Sequence, residues 1–190
     1  MALNPNALVS LTDTKTQLGI SGSADDALVE SFINAASEYF EQMTHTRLVK
    51  LGSDDVTEYQ TSESQNIFYP FQYFEADSIT SFKVLNAGVG NGDTELVLNT
   101  DYSIRNQQLY VGFAISEGLT VELIYDPGYG TVPSDIKVAC INLVGFLWNR
   151  RNNADATQLS VDSVSKTFLM NADKVPLVDT VIQKYRIKHI

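Results

Sequence analysis

The hydrophobic period of the chain changes twice, and this constrains the fold more than any single motif. In the first 46 residues apolar side chains recur every three or four positions. From about residue 48 to 125 they alternate with polar ones or run in short β-branched and aromatic stretches. After residue 133 the helical period returns. One stripe on a helix and one face of a strand are different geometries, so the pattern predicts an α+β chain. We read it as a small helical bundle, N- and C-terminal helices packed together, interrupted by an antiparallel β-sheet or sandwich insert. Residues 1–47 plus 127–190 are the expected helical domain, and 48–126 the β-rich insert. Neither helical stretch is stable alone, because each has one apolar face to bury.

Local signals place the elements. Thr12-Asp13-Thr14-Lys15 opens a short helix that Gly19 stops, and Ser23 caps a second one with Asp25 and Asp26 in its first turn. Leu28, Phe32, Ala35, Ala36, Tyr39 and Met43 form its expected stripe, with Glu30, Asn34, Glu38 and Glu41 facing away. Strands are expected at 56–60, 66–69, 79–86, 95–98, 102–104, 108–111 and 119–125, with Asn106-Gln107 turning a hairpin. Pro133-Ser134-Asp135 opens the next helix, whose buried set is Ile136, Ala139, Cys140, Leu143, Val144 and Leu147. Residues 158–170 read as an extended arm or hairpin. Pro176 opens a last helix with Leu177, Val178, Val181, Ile182 and Tyr185 as its apolar set.

Charge narrows the function classes. The formal net charge is −10 over 190 residues. Residues 1–133 carry 18 acids against 5 bases, and residues 134–190 carry 5 acids against 8 bases. So acidic a body repels a phosphate backbone, which argues against a dedicated nucleic-acid binder. One cysteine, Cys140, rules out an internal disulfide framework and a multi-thiolate metal site. The N-terminal residues lack the basic and apolar regions of a signal peptide, and the longest apolar run, 138–148, is too short to span a bilayer. No membrane association is expected, and the chain is expected to fold inside the cell.

The search for chemistry is mostly negative. His45 ends a helix, where the dipole favours a histidine, and no Ser or Cys motif accompanies it to suggest a hydrolase. Cys140 lies on an apolar stripe. Asp25-Asp26 and Asp54-Asp55 are adjacent in sequence, so their side chains point apart. Gly88 to Gly92 lacks the lysine and following helix of a phosphate loop, and Asn91-Gly92-Asp93 lacks the other ligands of a calcium loop. The cluster Phe68, Tyr69, Phe71, Tyr73 and Phe74 contains no base, which favours core or subunit interface over a nucleic-acid stacking platform. No catalytic residue, cofactor or metal is therefore assigned, and an assembly or binding role is the better class.

Two series of motifs carry a resemblance. The first runs 11–20 (LTDTKTQLGI), 25–29 (DDALV), 33–37 (INAAS) and 46–48 (TRL). The second runs 121–130 (VELIYDPGYG), 132–137 (VPSDIK) and 147–151 (LWNRR). In order and spacing they resemble the head–tail connector proteins of tailed bacteriophages, also called neck adaptors or head-completion proteins. The resemblance implies a structural virion protein, made in the bacterial cytoplasm, that docks as a ring beneath the portal protein. The ring is commonly a dodecamer. It extends the DNA channel and offers a platform for the next neck or tail-completion protein, and DNA only passes through its acidic lumen. Carried onto this chain, the portal-docking residues are Val175, Leu177, Val178, Val181, Ile182, Tyr185, Arg186, Ile187 and Ile190. The inter-subunit arm is Leu159, Val161, Val164 and Phe168. The alternative is another phage tail-completion or binding module that works through the β insert.

Overall fold

The computed structural model describes residues 2–52, 54–85, 92–151, 158–161, 164–167 and 175–187. The described residues form four helices and nine strands arranged in antiparallel sheets, the mixed α+β class that the period changes predict. Two compact units emerge. One takes residues up to His45 and again Thr131–Arg186. The other takes Thr46–Gly130, with Ile187.

The helical unit is built from α1 (Leu11–Leu18), α2 (Asp26–Thr44), α3 (Ser134–Arg150) and α4 (Val178–Tyr185). Contacts of α2 with α3 dominate it, α1 leans on both, and α4 packs against both. The true cap of α1 is Ser10 rather than Thr12. Its Oγ accepts the Asp13 N–H at 3.0 Å and its hydroxyl donates back to Asp13 Oδ2 at 2.7 Å, a reciprocal pair that satisfies an otherwise orphaned donor. Gly19 stops α1 in the left-handed region at φ 66°. For α2 the cap position is Asp25, two residues after Ser23.

The buried stripe of α2 is displaced by one residue from the expected one. Val29, Ile33, Ala36, Phe40 and Thr44 face the core, whereas Leu28 and Met43 are exposed. The reason is that small hydroxyls are buried at low cost when they bond to their own helix. Ser37 Oγ donates to the Ile33 carbonyl at 2.8 Å and Thr44 Oγ1 to the Phe40 carbonyl at 2.7 Å. Asn34, expected outside, is also buried. Its Oδ1 accepts the Asn4 N–H at 2.9 Å and its amide donates to the Ala2 carbonyl at 3.1 Å. The N-terminal segment thus lies along α2 and buries Leu8 and Val9. On α3 the expected set is largely in the core, with Ile141 added and Leu147 only half-buried. Burial pushes the Cys140 thiol up to about 12, against the lesser opposing pull of a hydrogen bond with Ser37, so it is a core residue and no nucleophile at neutral pH.

The β unit is a two-sheet sandwich. Its strands are β1 (Val56–Thr61), β2 (Ile67–Phe68), β3 (Phe74–Leu85), β4 (Thr94–Glu95), β5 (Tyr102–Arg105), β6 (Gln108–Val111) and β7 (Thr120–Pro127). One sheet has the order β1-β7-β3-β4 and the other β2-β6-β5. Between them lies an aromatic core that includes Phe68, Phe74, Phe82, Tyr102 and Tyr125 with Leu109, Val121 and Leu123. Phe82 meets Phe68 and Tyr102 edge to face at 5.9 and 5.1 Å, the arrangement the ring quadrupole favours. Asn106 and Gln107 take φ 50° and 64°, both left-handed, as a two-residue hairpin turn that matches the sheet twist requires. Two further strands, β8 (Gln158–Val161) and β9 (Val164–Thr167), form a separate hairpin with each other.

Candidate assembly surfaces

The C-terminal helix α4 is held in the helical unit from two sides. Val178, Val181 and Ile182 enter the core, as does Val175 before the helix. On the rim, Asp135 in the first turn of α3 collects two donors from α4. Lys184 Nζ reaches Oδ2 at 2.7 Å, and the Tyr185 hydroxyl reaches Oδ1 at 2.8 Å. Partial burial raises the Asp135 pKa, but the hydrogen bonds from Lys184, Tyr185 and the Ile136 N–H outweigh this and hold the carboxyl below its ordinary value. Beyond the helix, the Arg186 guanidinium lies 3.2 Å from His45 Nε2. His45 itself ends α2 in the left-handed region at φ 57°. It is thus a helix end tied to an arginine.

A lowered folded pKa fixes the sign of the pH dependence. The Asp135 contribution is full above the ordinary aspartate value of about 3.9 and is lost as pH falls through the lower folded value. The protection factors of the α4 amides, which remove the intrinsic pH dependence of exchange, should therefore be unchanged from pH 7 to 5 and fall below about pH 4. An Asp135→Asn variant should show the reduced protection at every pH.

Of the nine residues assigned to portal docking, Val175, Val178, Val181 and Ile182 are core. Tyr185 is half-buried against Asp135. Leu177 is 49% exposed, at φ 70°, outside the buried set in which the sequence placed it. Arg186 is exposed and Ile187 half-buried, while Ile190 lies outside the described residues. Deleting the whole segment from Val175 would remove core side chains, so the fold is not expected to survive that truncation. In the arm, Leu159 and Val161 stand on β8 and Val164 on β9, with Leu159 opposite Lys166 and Val161 opposite Val164. Phe168 lies outside the described residues.

The aromatic cluster from Phe68 to Phe74, expected as core or subunit interface, is divided between buried and exposed positions. The loop 69–73, between β2 and β3, runs beside β1, and its backbone is held by side chains. The Phe71 N–H donates to the Glu58 carboxylate at 2.9 Å, the Gln72 N–H to Tyr125 Oη at 3.2 Å and the Tyr73 N–H to Thr46 Oγ1 at 2.9 Å. The Phe74 N–H that follows donates to Gln107 Oε1 at 3.1 Å. Gln60 Nε2 also donates to the Tyr69 carbonyl at 2.8 Å. Glu58 is buried on β1, and the Tyr125 hydroxyl donates to it. Burial, and then this carboxylate, push the Tyr125 phenol above its ordinary value, so the proton stays on the phenol. Phe68 and Phe74 are core, Tyr73 stacks on Tyr129 at 3.8 Å, and Tyr69 and Phe71 are left half exposed on the rigid loop.

Among the described residues no group of three His, Cys, Asp or Glu side chains is placed to hold a metal. No described helix is long and apolar enough to cross a membrane. Asp54 pairs with Arg47 at 2.9 Å and Asp55 accepts from Thr80 at 2.8 Å, so the two acids are engaged separately. The glycine-rich stretch lies outside the described residues except Gly92. A groove of about 310 Å³ between α1 and α3 is lined by Val9, Val138 and Ile141 with the polar Asp13, Thr16, Gln17, Ser134 and Lys137.

The comparisons with known proteins agree with one another. The chain is similar over its whole length to a chain in the neck of an empty gene transfer agent particle computed with C6 symmetry. The TM-score is 0.59 at 14% identity, with 97% of that chain covered. A chain of the native gene transfer agent virion matches at a TM-score of 0.59 and 15% identity. One in the native neck computed with C12 symmetry matches at 0.58 and 16%. Each covers all of this chain and 94% of the other. At such identities the likeness is one of fold. No curated protein sequence matches significantly. A family profile, that of the head completion proteins, matches residues 7–188. Spanning every described element from α1 to α4, that match places the chain in the head completion protein family.

Proposed function

We propose that this protein is a structural component of the virion neck that docks as a ring beneath the portal protein, extends the DNA channel and seats the next neck or tail-completion protein. The family match over residues 7–188 carries this reading. The full-length likeness of fold to chains from gene transfer agent necks supports it, one of those necks having been computed with C12 symmetry. A dodecamer is the proposed ring. Its subunits meet head to tail, so the two sides of the protomer differ. An acidic lumen suits the role, because DNA must slide past the wall without being held. No catalytic step is part of the proposal.

The C-terminal segment is the proposed portal-facing part and the β8–β9 hairpin the proposed inter-subunit arm. Leu177, Arg186 and Ile187 are the side chains of that segment still offered to a partner, while the buried Val175, Val178, Val181 and Ile182 hold α4 in place. Among the described residues the hairpin strands pair only with each other, and a lone two-stranded hairpin is marginal in water, so a neighbour's surface would complete it. Electron microscopy of the protein mixed with portal particles should show added density as a closed ring on the portal's outer face. A Leu177→Asp, Ile187→Asp double variant should remove that density and keep the circular dichroism of the parent. Undiminished docking by the double variant would refute the C-terminal assignment. Absence of any ring with the parent protein would refute the neck role.

A further inference from the structure

The loop 69–73 combines features that ordinary surface loops lack. Tyr69 and Phe71 are 50% and 48% exposed, although aromatic rings are the side chains most worth burying. Beneath them the backbone is immobilised by side chains from separate parts of the β unit: Glu58, Tyr125, Thr46 and Gln107. Holding a buried carboxylate for this purpose carries a desolvation cost that a solvated loop would not need. A pre-ordered loop with two exposed rings has already met the entropy cost that docking would otherwise incur. Rigid aromatic anchors of this kind are typical of the energetic centre of an interface.

Charge indicates the occupant. Residues 46–130 hold 12 acids and 4 bases, whereas residues 131–190 hold 5 acids and 8 bases. Two of the four bases in the β unit are already paired, Arg47 with Asp54 and Lys50 with Asp77. The contact is therefore favoured against a cationic surface, and a second copy of this chain carries one. At the end of α3 the Arg151 guanidinium lies 3.7 Å over the Trp148 ring and donates to the Trp148 carbonyl at 2.7 Å, with Arg150 next to it. A planar guanidinium stacks on an aromatic face, and the net negative charge of residues 46–130 as a whole adds attraction.

We infer that Tyr69 and Phe71 of one subunit dock on the Trp148–Arg151 end of α3 in the adjacent copy, forming one of the head-to-tail contacts of the ring. The inference rests on the neck reading and adds to it the two faces that meet. Placing a benzophenone amino acid at position 71 tests it. The substituted protein is assembled into particles in cells that make the head and neck proteins, irradiated, and its cross-linked peptides are sequenced. The expected product is a ladder of multimers of this chain, joined from position 71 to peptides spanning residues 146–151. A Phe71→Ala, Tyr69→Ala variant should fold normally by circular dichroism yet enter particles at least tenfold less. Cross-links to a different protein, to residues 46–130 of another copy, or no cross-link in particles that do contain the protein would overturn the inference and leave the neck reading intact. Absence of the parent protein from particles would instead remove both.

Discussion

A Gly128→Val variant is expected to lose on the order of 4 kcal/mol, enough to leave the β unit largely unfolded at 37 °C. Gly128 sits at φ 107°, a region that costs an ordinary L-residue about 1–3 kcal/mol. A Cβ there would also lie 2.6 Å from the Val49 carbonyl carbon and 2.7 Å from the Lys50 nitrogen. Those atoms belong to backbone and cannot swing aside, so the crowding adds roughly 1–3 kcal/mol to the strain. The two chain segments are in fact bonded there. Lys50 N–H donates to the Tyr129 carbonyl at 3.0 Å, and Tyr129 N–H to Leu48 at 3.4 Å. Gly52→Ala is the informative control. Gly52 also has a positive φ, 76°, but open space where its Cβ would go, so it should cost only the strain, about 1 kcal/mol. Chemical denaturation followed by hydrogen exchange in β1, β3 and β7 separates the two. Equal losses in both variants would show that the close approach at Gly128 is not the cause.

The second large effect is expected at Glu58. An alanine there takes away the acceptor of the Phe71 N–H and of the Tyr125 hydroxyl, deep in the β unit. Each buried donor stripped of its acceptor costs about 1–3 kcal/mol, so the variant should lose about 3 kcal/mol in all. A Glu58→Gln variant keeps one carbonyl acceptor and the same shape, and should lose about half as much. The diagnostic readout is local. Exchange at the amides of Phe71, Gln72 and Tyr73 should accelerate well beyond that of the surrounding strands. Uniform acceleration across the sandwich would mean that Glu58 stabilises the core without fixing the loop.

Strands were legible in the sequence wherever one face was dry and the other wet. β7 alternates Val121, Leu123 and Tyr125 inward, and the turn at Asn106-Gln107 is a feature of residue type. β3 begins five residues earlier than its alternation suggests, at Phe74. Register shifts between Phe74, Ile79 and Ser81 break the period there. The α2 stripe was misread for the opposite reason. Two overlapping sets of apolar residues compete on that helix, and the set that won includes Ser37 and Thr44, whose hydroxyls disappear into the helix's own hydrogen bonds. Likewise Glu58 reads as surface in any sequence scan. Its burial depends on partners 13 and 67 positions away, which no local pattern encodes. The C-terminal helix was found from Pro176 and its apolar spacing, but its anchorage by Asp135 and His45 spans 50 and 141 residues.

The parallel bridge between Val49 and Tyr129 has a consequence for how the chain reaches its native state. In the unfolded polypeptide α2 and α3 are joined by a tether of about 90 residues, and bringing its ends together is entropically costly. Once the sandwich has formed, its first and last residues are neighbours, and the effective tether shrinks to roughly ten residues. By the logarithmic dependence on length that spares the helices about 2 kcal/mol at the moment they meet. A sandwich that closes first would act as a clasp, accelerating the pairing of the helices.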